Sequence, residues 1–66
     1  MIITLNNRQE DIPKEMTISE LLDFKKFTFK MLVVKVNSKL VKKPEYDLTL
    51  IKEKDNVMVL HLISGG

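Results

Sequence analysis

Residues 16–24 read MTISELLDF, and the fold turns on them. Thr17 and Glu20 stand at the spacing of a capping box. The threonine hydroxyl accepts from a free N–H of the first helical turn, and the glutamate reaches back to the threonine N–H. Met16 and Leu21 flank the pair at the spacing of a hydrophobic staple. Ile18, Leu21 and Leu22 fall on one helical face, while Lys25 and Lys26 suit the negative end of the helix dipole. The pattern predicts a short helix over 18–25.

On both sides the hydrophobic period drops to two. Upstream, Met1, Ile3 and Leu5 alternate along a strand. Asn6-Asn7 tolerates the left-handed backbone of a tight hairpin. Arg8 to Ile12 then returns as a polar edge strand, stopping before Pro13, which has no N–H for a ladder. Downstream, Met31 to Val36 sets Leu32, Val34 and Val36 on one side and Val33 and Lys35 on the other. Asn37-Ser38-Lys39 turns the chain and Leu40-Val41 makes a brief return strand. Pro44 opens an irregular stretch through Leu50, and Asn56 to Ile63 is the last strand. The order is ββαββ with a further short strand. The expected core is Ile3, Leu5, Ile18, Leu21, Leu22, Val34, Val36, Val57 and Val59.

The last strand is apolar on both faces. Val57, Val59 and Ile63 point one way, and Met58, Leu60 and Leu62 the other. One short helix covers one face of a sheet and no more. Either the second face is exposed as a binding surface, or it packs under the 42–50 loop. His61 reads as an ordinary strand residue.

Composition removes several classes of function. With 66 residues the chain makes one domain, 1–66. There is no cysteine and a single histidine, so no disulfide framework, thiolate metal site or cysteine nucleophile is available. No nucleophile–base pair is recognisable, so the chain is not expected to be an enzyme. Eleven Lys and Arg mix with nine Asp and Glu for a net charge of +2, a solvated surface rather than a nucleic-acid footprint. The start lacks a signal-peptide pattern and no apolar run is long enough to cross a bilayer. A cytoplasmic protein without membrane or nucleic-acid partners is expected, monomeric when free.

The chain contains two glycines, and both stand at its end, in HLISGG, residues 61–66. Glycine is entropically costly to order, so Ile63 to Gly66 is expected to be a flexible tail. The bland reading is a frayed terminus. The sharper one makes the Gly66 carboxylate a reactive group: glycine has no Cβ, so its backbone can thread a narrow channel. Four extended residues, Ile63, Ser64, Gly65 and Gly66, reach roughly 13–14 Å.

A ββαββ order at this length, closing on Gly-Gly, resembles the ubiquitin-like β-grasp carriers, and among them is most similar to the ThiS family of sulfur carriers of thiamin biosynthesis. The residues that carry the resemblance are Ile2 to Asn7, Thr17 to Leu22, Val36-Asn37 with Leu40-Val41, and Asp55-Asn56-Val57 leading to Gly65-Gly66. The chain departs from the family's common pattern at Lys54, where a glycine is usual, at Asn7 of Asn6-Asn7, where Asn-Gly is usual, and at Tyr46, where a Trp is frequent. The resemblance implies an α+β fold with a mixed sheet and one main helix packed on one face. It turns Val57 and Val59 towards the helix and assigns Met58, Leu60 and Leu62 to an open, partner-binding face.

It also implies the chemistry. A terminal carboxylate is anionic at neutral pH and a poor acyl donor. A separate ThiF-like adenylating enzyme would activate Gly66 with ATP, sulfur would replace AMP to give a thiocarboxylate, and thiazole synthase (ThiG) would receive the sulfur. The carrier itself would bind no cofactor. The alternatives are the small subunit of molybdopterin synthase, a ubiquitin-like modifier, a carrier for tRNA thiolation, and a bare interaction domain.

Overall fold

The computed structural model describes residues 1–27 and 31–61. Strand β1 (Ile2–Leu5) and strand β2 (Arg8–Asp11) form a hairpin in which Leu5 faces Arg8. Between them Asn6 and Asn7 both take positive φ, 51° and 67°, the mirror-image turn that matches strand twist. A two-residue strand β3 (Met16–Thr17) runs straight into helix α1 (Ile18–Phe24). Strand β4 (Leu32–Val36) and strand β5 (Lys39–Val41) make a second hairpin through Asn37 and Ser38, again with positive φ at both. A single 3-10 turn at Lys43–Glu45, strand β6 (Leu50–Ile51) and strand β7 (Asn56–His61) complete the described chain.

The main sheet has the order β2-β1-β7-β4-β5. β7 lies in the middle, parallel to β1 and antiparallel to β4, and β3 and β6 pair separately. The sheet is therefore mixed, with α1 on one face.

The helix starts as the sequence predicts. The Glu20 N–H donates to Thr17 Oγ1 at 3.1 Å and the Thr17 N–H to Glu20 Oε1 at 2.9 Å. The two remaining early donors are met by the 46–49 loop, Ile18 N–H by the Thr49 carbonyl and Ser19 N–H by the Tyr46 carbonyl. Met16 and Leu21 are both buried. The C-terminal end departs from expectation. The helix stops at Phe24, and the Lys25 ammonium goes to Glu10 of the edge strand at 3.1 Å rather than to the helix-end carbonyls. Lys26 turns left-handed at φ 60°. Phe27 N–H then reaches the Leu22 carbonyl and Lys26 N–H the Asp23 carbonyl, which is a Schellman closure with lysine in the usual glycine place.

The core is one cluster: Ile3, Leu5, Ile12, Met16, Ile18, Leu21, Leu22, Val34, Val41, Ile51, Val57 and Val59. Every expected core residue is in it except Val36, which is half-buried against its rim. Ile12, Met16, Val41 and Ile51 join it as well: Ile12 stands alone between Asp11 and Pro13, while Val41 and Ile51 are each buried beside an exposed leucine, Leu40 and Leu50. Among the described residues no polar or charged residue is buried.

Candidate functional site

The site is built on β7. Its helix-side residues are anchors, Val57 fully buried and Val59 nearly so. Alternation turns Met58 and Leu60 to the opposite face, where Met58 is half-buried and Leu60 is 42% exposed. Cross-strand register brings neighbours to them on that face: Lys35 opposite Met58, Val33 opposite Leu60, and Leu40 of β5 opposite Lys35. Leu40 is 57% exposed. The result is an apolar patch of Val33, Leu40, Met58 and Leu60 around one lysine. The 42–50 segment meets the helix side instead, where its Tyr46 and Thr49 carbonyls accept from the helix N-terminus and Tyr46 packs against the core. Of the open-face residues of the last strand that are described, Leu60 is exposed and Met58 half-buried.

Two asparagines and an aspartate hold β7 in register. Beyond Leu5, where β1 turns away, Asn6 Oδ1 accepts from the Val59 N–H at 2.7 Å, and the Asn6 N–H donates to the Val57 carbonyl. A side chain thus continues the ladder one step past the strand's end. At the start of β7, Asn37 Oδ1 accepts from the Asn56 N–H at 2.9 Å while its Nδ2 donates to Asp55 Oδ1 at 3.0 Å. Asp55 Oδ2 accepts in turn from the Lys52 N–H. This network ties the β4–β5 turn to the turn before β7. Asn6 and Asn37 were legible only as turn residues, since their second role depends on partners 53 and 19 positions away.

β7 is paired to β4 as far as His61 opposite Leu32. Leu62, Ile63, Ser64, Gly65 and Gly66 lie outside the described residues, as does the expected flexible tail. Among the described residues, no group of three or more His, Asp or Glu side chains could hold a metal ion, and no helix is long and apolar enough to cross a membrane.

A mixed sheet with β7 central, two flanking hairpins and one helix on one face is the ubiquitin-like β-grasp fold. The chain belongs to the ThiS family, whose model matches residues 3–66. It is similar to the crystal structure of the thiamine biosynthesis protein ThiS from Geobacter metallireducens, with a TM-score of 0.89 and 25% identity over the whole of both chains. The solution structure of a thiamine biosynthesis protein from the same organism matches with a TM-score of 0.81 and 26% identity, over all of this chain and 88% of that one. Among curated proteins there is no significant match.

Proposed function

We propose that this chain is a sulfur carrier of thiamin biosynthesis and that its reactive group is the Gly66 carboxylate. The supporting observation is the family match, which runs from residue 3 to Gly66 and so takes in both glycines. A carboxylate oxygen attacks the α-phosphorus of ATP on a ThiF-like adenylating enzyme, pyrophosphate leaves, and a mixed anhydride with AMP results. Sulfur at the hydrosulfide level then attacks the acyl carbon and loses its proton, and AMP departs with the bridging oxygen, leaving a thiocarboxylate at Gly66. Thiazole synthase takes the sulfur from it. In this scheme the chain is the substrate of other enzymes. Gly65, Ser64 and Ile63 serve as the tether, and Met58, Leu60 and Leu62 as the face the partners grip.

The test is pyrophosphate exchange with the adenylating enzyme from the same genome. Removing Gly66 moves the reacting carbon by about 3.5 Å, and a misplacement of about 1 Å can cost a hundredfold in such a reaction. Exchange is expected to vanish both in the shortened chain and in one extended by a residue after Gly66. Mass spectrometry of the native protein should find sulfur in place of oxygen at the C-terminus. Normal exchange by the shortened or extended chain would remove Gly66 as the reactive group, and the carrier reading with it.

A further inference from the structure

The open face carries a charge that its surroundings do not explain. The open-face positions of the described strands are Ile2 and Thr4, Gln9 and Asp11, Val33 and Lys35, Leu40, and Asn56, Met58 and Leu60. Lys35 is the one cation among them and Asp11 the one carboxylate. Asp11 stands on the far edge strand, where the Met1 amino group already meets it at 3.1 Å. Lys35 has no ion-pair or hydrogen-bond partner among the described residues. It sits on an interior strand, between Met58 on one side and Leu40 on the other. Lysine is a poor strand former, and its apolar neighbours offer its ammonium nothing.

Lys35 is exposed, so in the free protein its ammonium stays in water, and its aliphatic stem is long enough to cover part of its cross-strand neighbours Met58 and Leu40. A partner that covers the face removes that water. An ammonium dehydrated without a counter-charge costs several kcal/mol, so a wholly apolar partner surface is rejected. A second copy docked face to face would bring Lys35 near its own equivalent, and like charges oppose that pairing. What fits is an apolar surface with a carboxylate set inside it.

We infer that Lys35 is the specificity contact of this face, and that the partner docks an apolar surface bearing an Asp or Glu carboxylate against Val33, Leu40, Met58 and Leu60. The inference deepens the carrier reading and rests on it, the partner in that reading being the adenylating enzyme. Lys35 does no chemistry. It selects which enzyme the carrier is delivered to.

The experiment titrates the adenylating enzyme from the same genome with the full chain and its variants, reading complex dissociation constants at low and high salt. Lys35→Met should weaken the complex about tenfold and flatten its salt dependence. Lys35→Glu should weaken it about 30-fold or more. Lys14→Glu makes the same change of net charge in the exposed loop before β3 and should leave the affinity within a factor of about two. Lys35→Met binding as tightly as wild type, or more tightly, would reduce Lys35 to a residue that keeps the face soluble. Equal losses in Lys14→Glu and Lys35→Glu would replace a local contact with overall charge steering. Either result overturns the inference while leaving the carrier reading intact, provided Gly66 deletion still abolishes exchange. Failure of the wild-type chain to bind the enzyme at all would overturn both.

Discussion

Lys54 holds φ at 70°, immediately before Asp55 and the turn into β7. A side chain with a Cβ is strained there by about 1–2 kcal/mol, and glycine is not. Glycine also enlarges the entropy of the unfolded chain, which returns part of the gain. Lys54→Gly is therefore expected to stabilise the protein by about 0.5–1 kcal/mol, read as an upward shift of a few degrees in Tm. Asn6 has a positive φ as well, 51°, and backbone preference alone would favour the same replacement. Its side chain reverses the outcome. Asn6→Gly leaves the partly buried Val59 N–H without its acceptor, at a cost of about 1–2 kcal/mol. Denaturant unfolding of the two variants should move the midpoint in opposite directions. If Asn6→Gly also stabilises, the carboxamide is not holding β7. The shared departure from glycine at Asn7 and Lys54 thus keeps glycine-type turns without glycine, with φ of 67° and 70°.

At the scale of the element, α1 shows how a seven-residue helix survives. Short isolated helices are marginal in water, so this one depends on its cap, on carbonyls lent by the 46–49 loop, and on its buried face. Leu21 is fully buried at the staple position opposite Met16. Truncating such a residue costs about 2–5 kcal/mol, and a domain this small holds only about 3–5 kcal/mol. Leu21→Ala should lose most or all of its cooperative unfolding transition by circular dichroism. A well-folded variant with near-normal stability would mean the helix face contributes little. The elements legible in the sequence are those with local causes: the capping box, the two-residue turns, and the alternation in β1, β4 and β7. The elements missed have distant causes. β3 and β6 are two residues each, too short to show any period, and exist because Met16 and Thr17 meet Ile51 and Leu50 across the chain. Sequence proximity assigns Lys25 to the helix dipole, yet the nearer charge in space is Glu10, 15 residues back.

For the whole molecule, the sheet is a wall with two unlike faces, and β7 contributes to both. The alternation of Val57 and Val59 against Met58 and Leu60 was readable from the sequence, but the register that sets Lys35 beside Met58 was not, because it joins positions about 20 apart. One residue's step along β7 therefore separates the core from the open face. Val59 is 5% exposed inside the core and Leu60 is 42% exposed on the face without a helix. Burying a carboxylate at Val59 costs several kcal/mol unless the group is paired, and no buried polar residue stands near to pair it among the described residues. Val59→Asp should leave the chain unfolded at room temperature. Leu60→Asp keeps its carboxylate in water and should change stability by less than about 0.5–1 kcal/mol. Its effect should appear in the complex, where the carboxylate loses water against an apolar partner and binding to the adenylating enzyme falls by about tenfold or more. Thermal unfolding and binding titration of this adjacent pair separate the two faces. If Leu60→Asp unfolds the chain and Val59→Asp does not, the sheet presents its faces the other way round, and the docking surface lies under the helix.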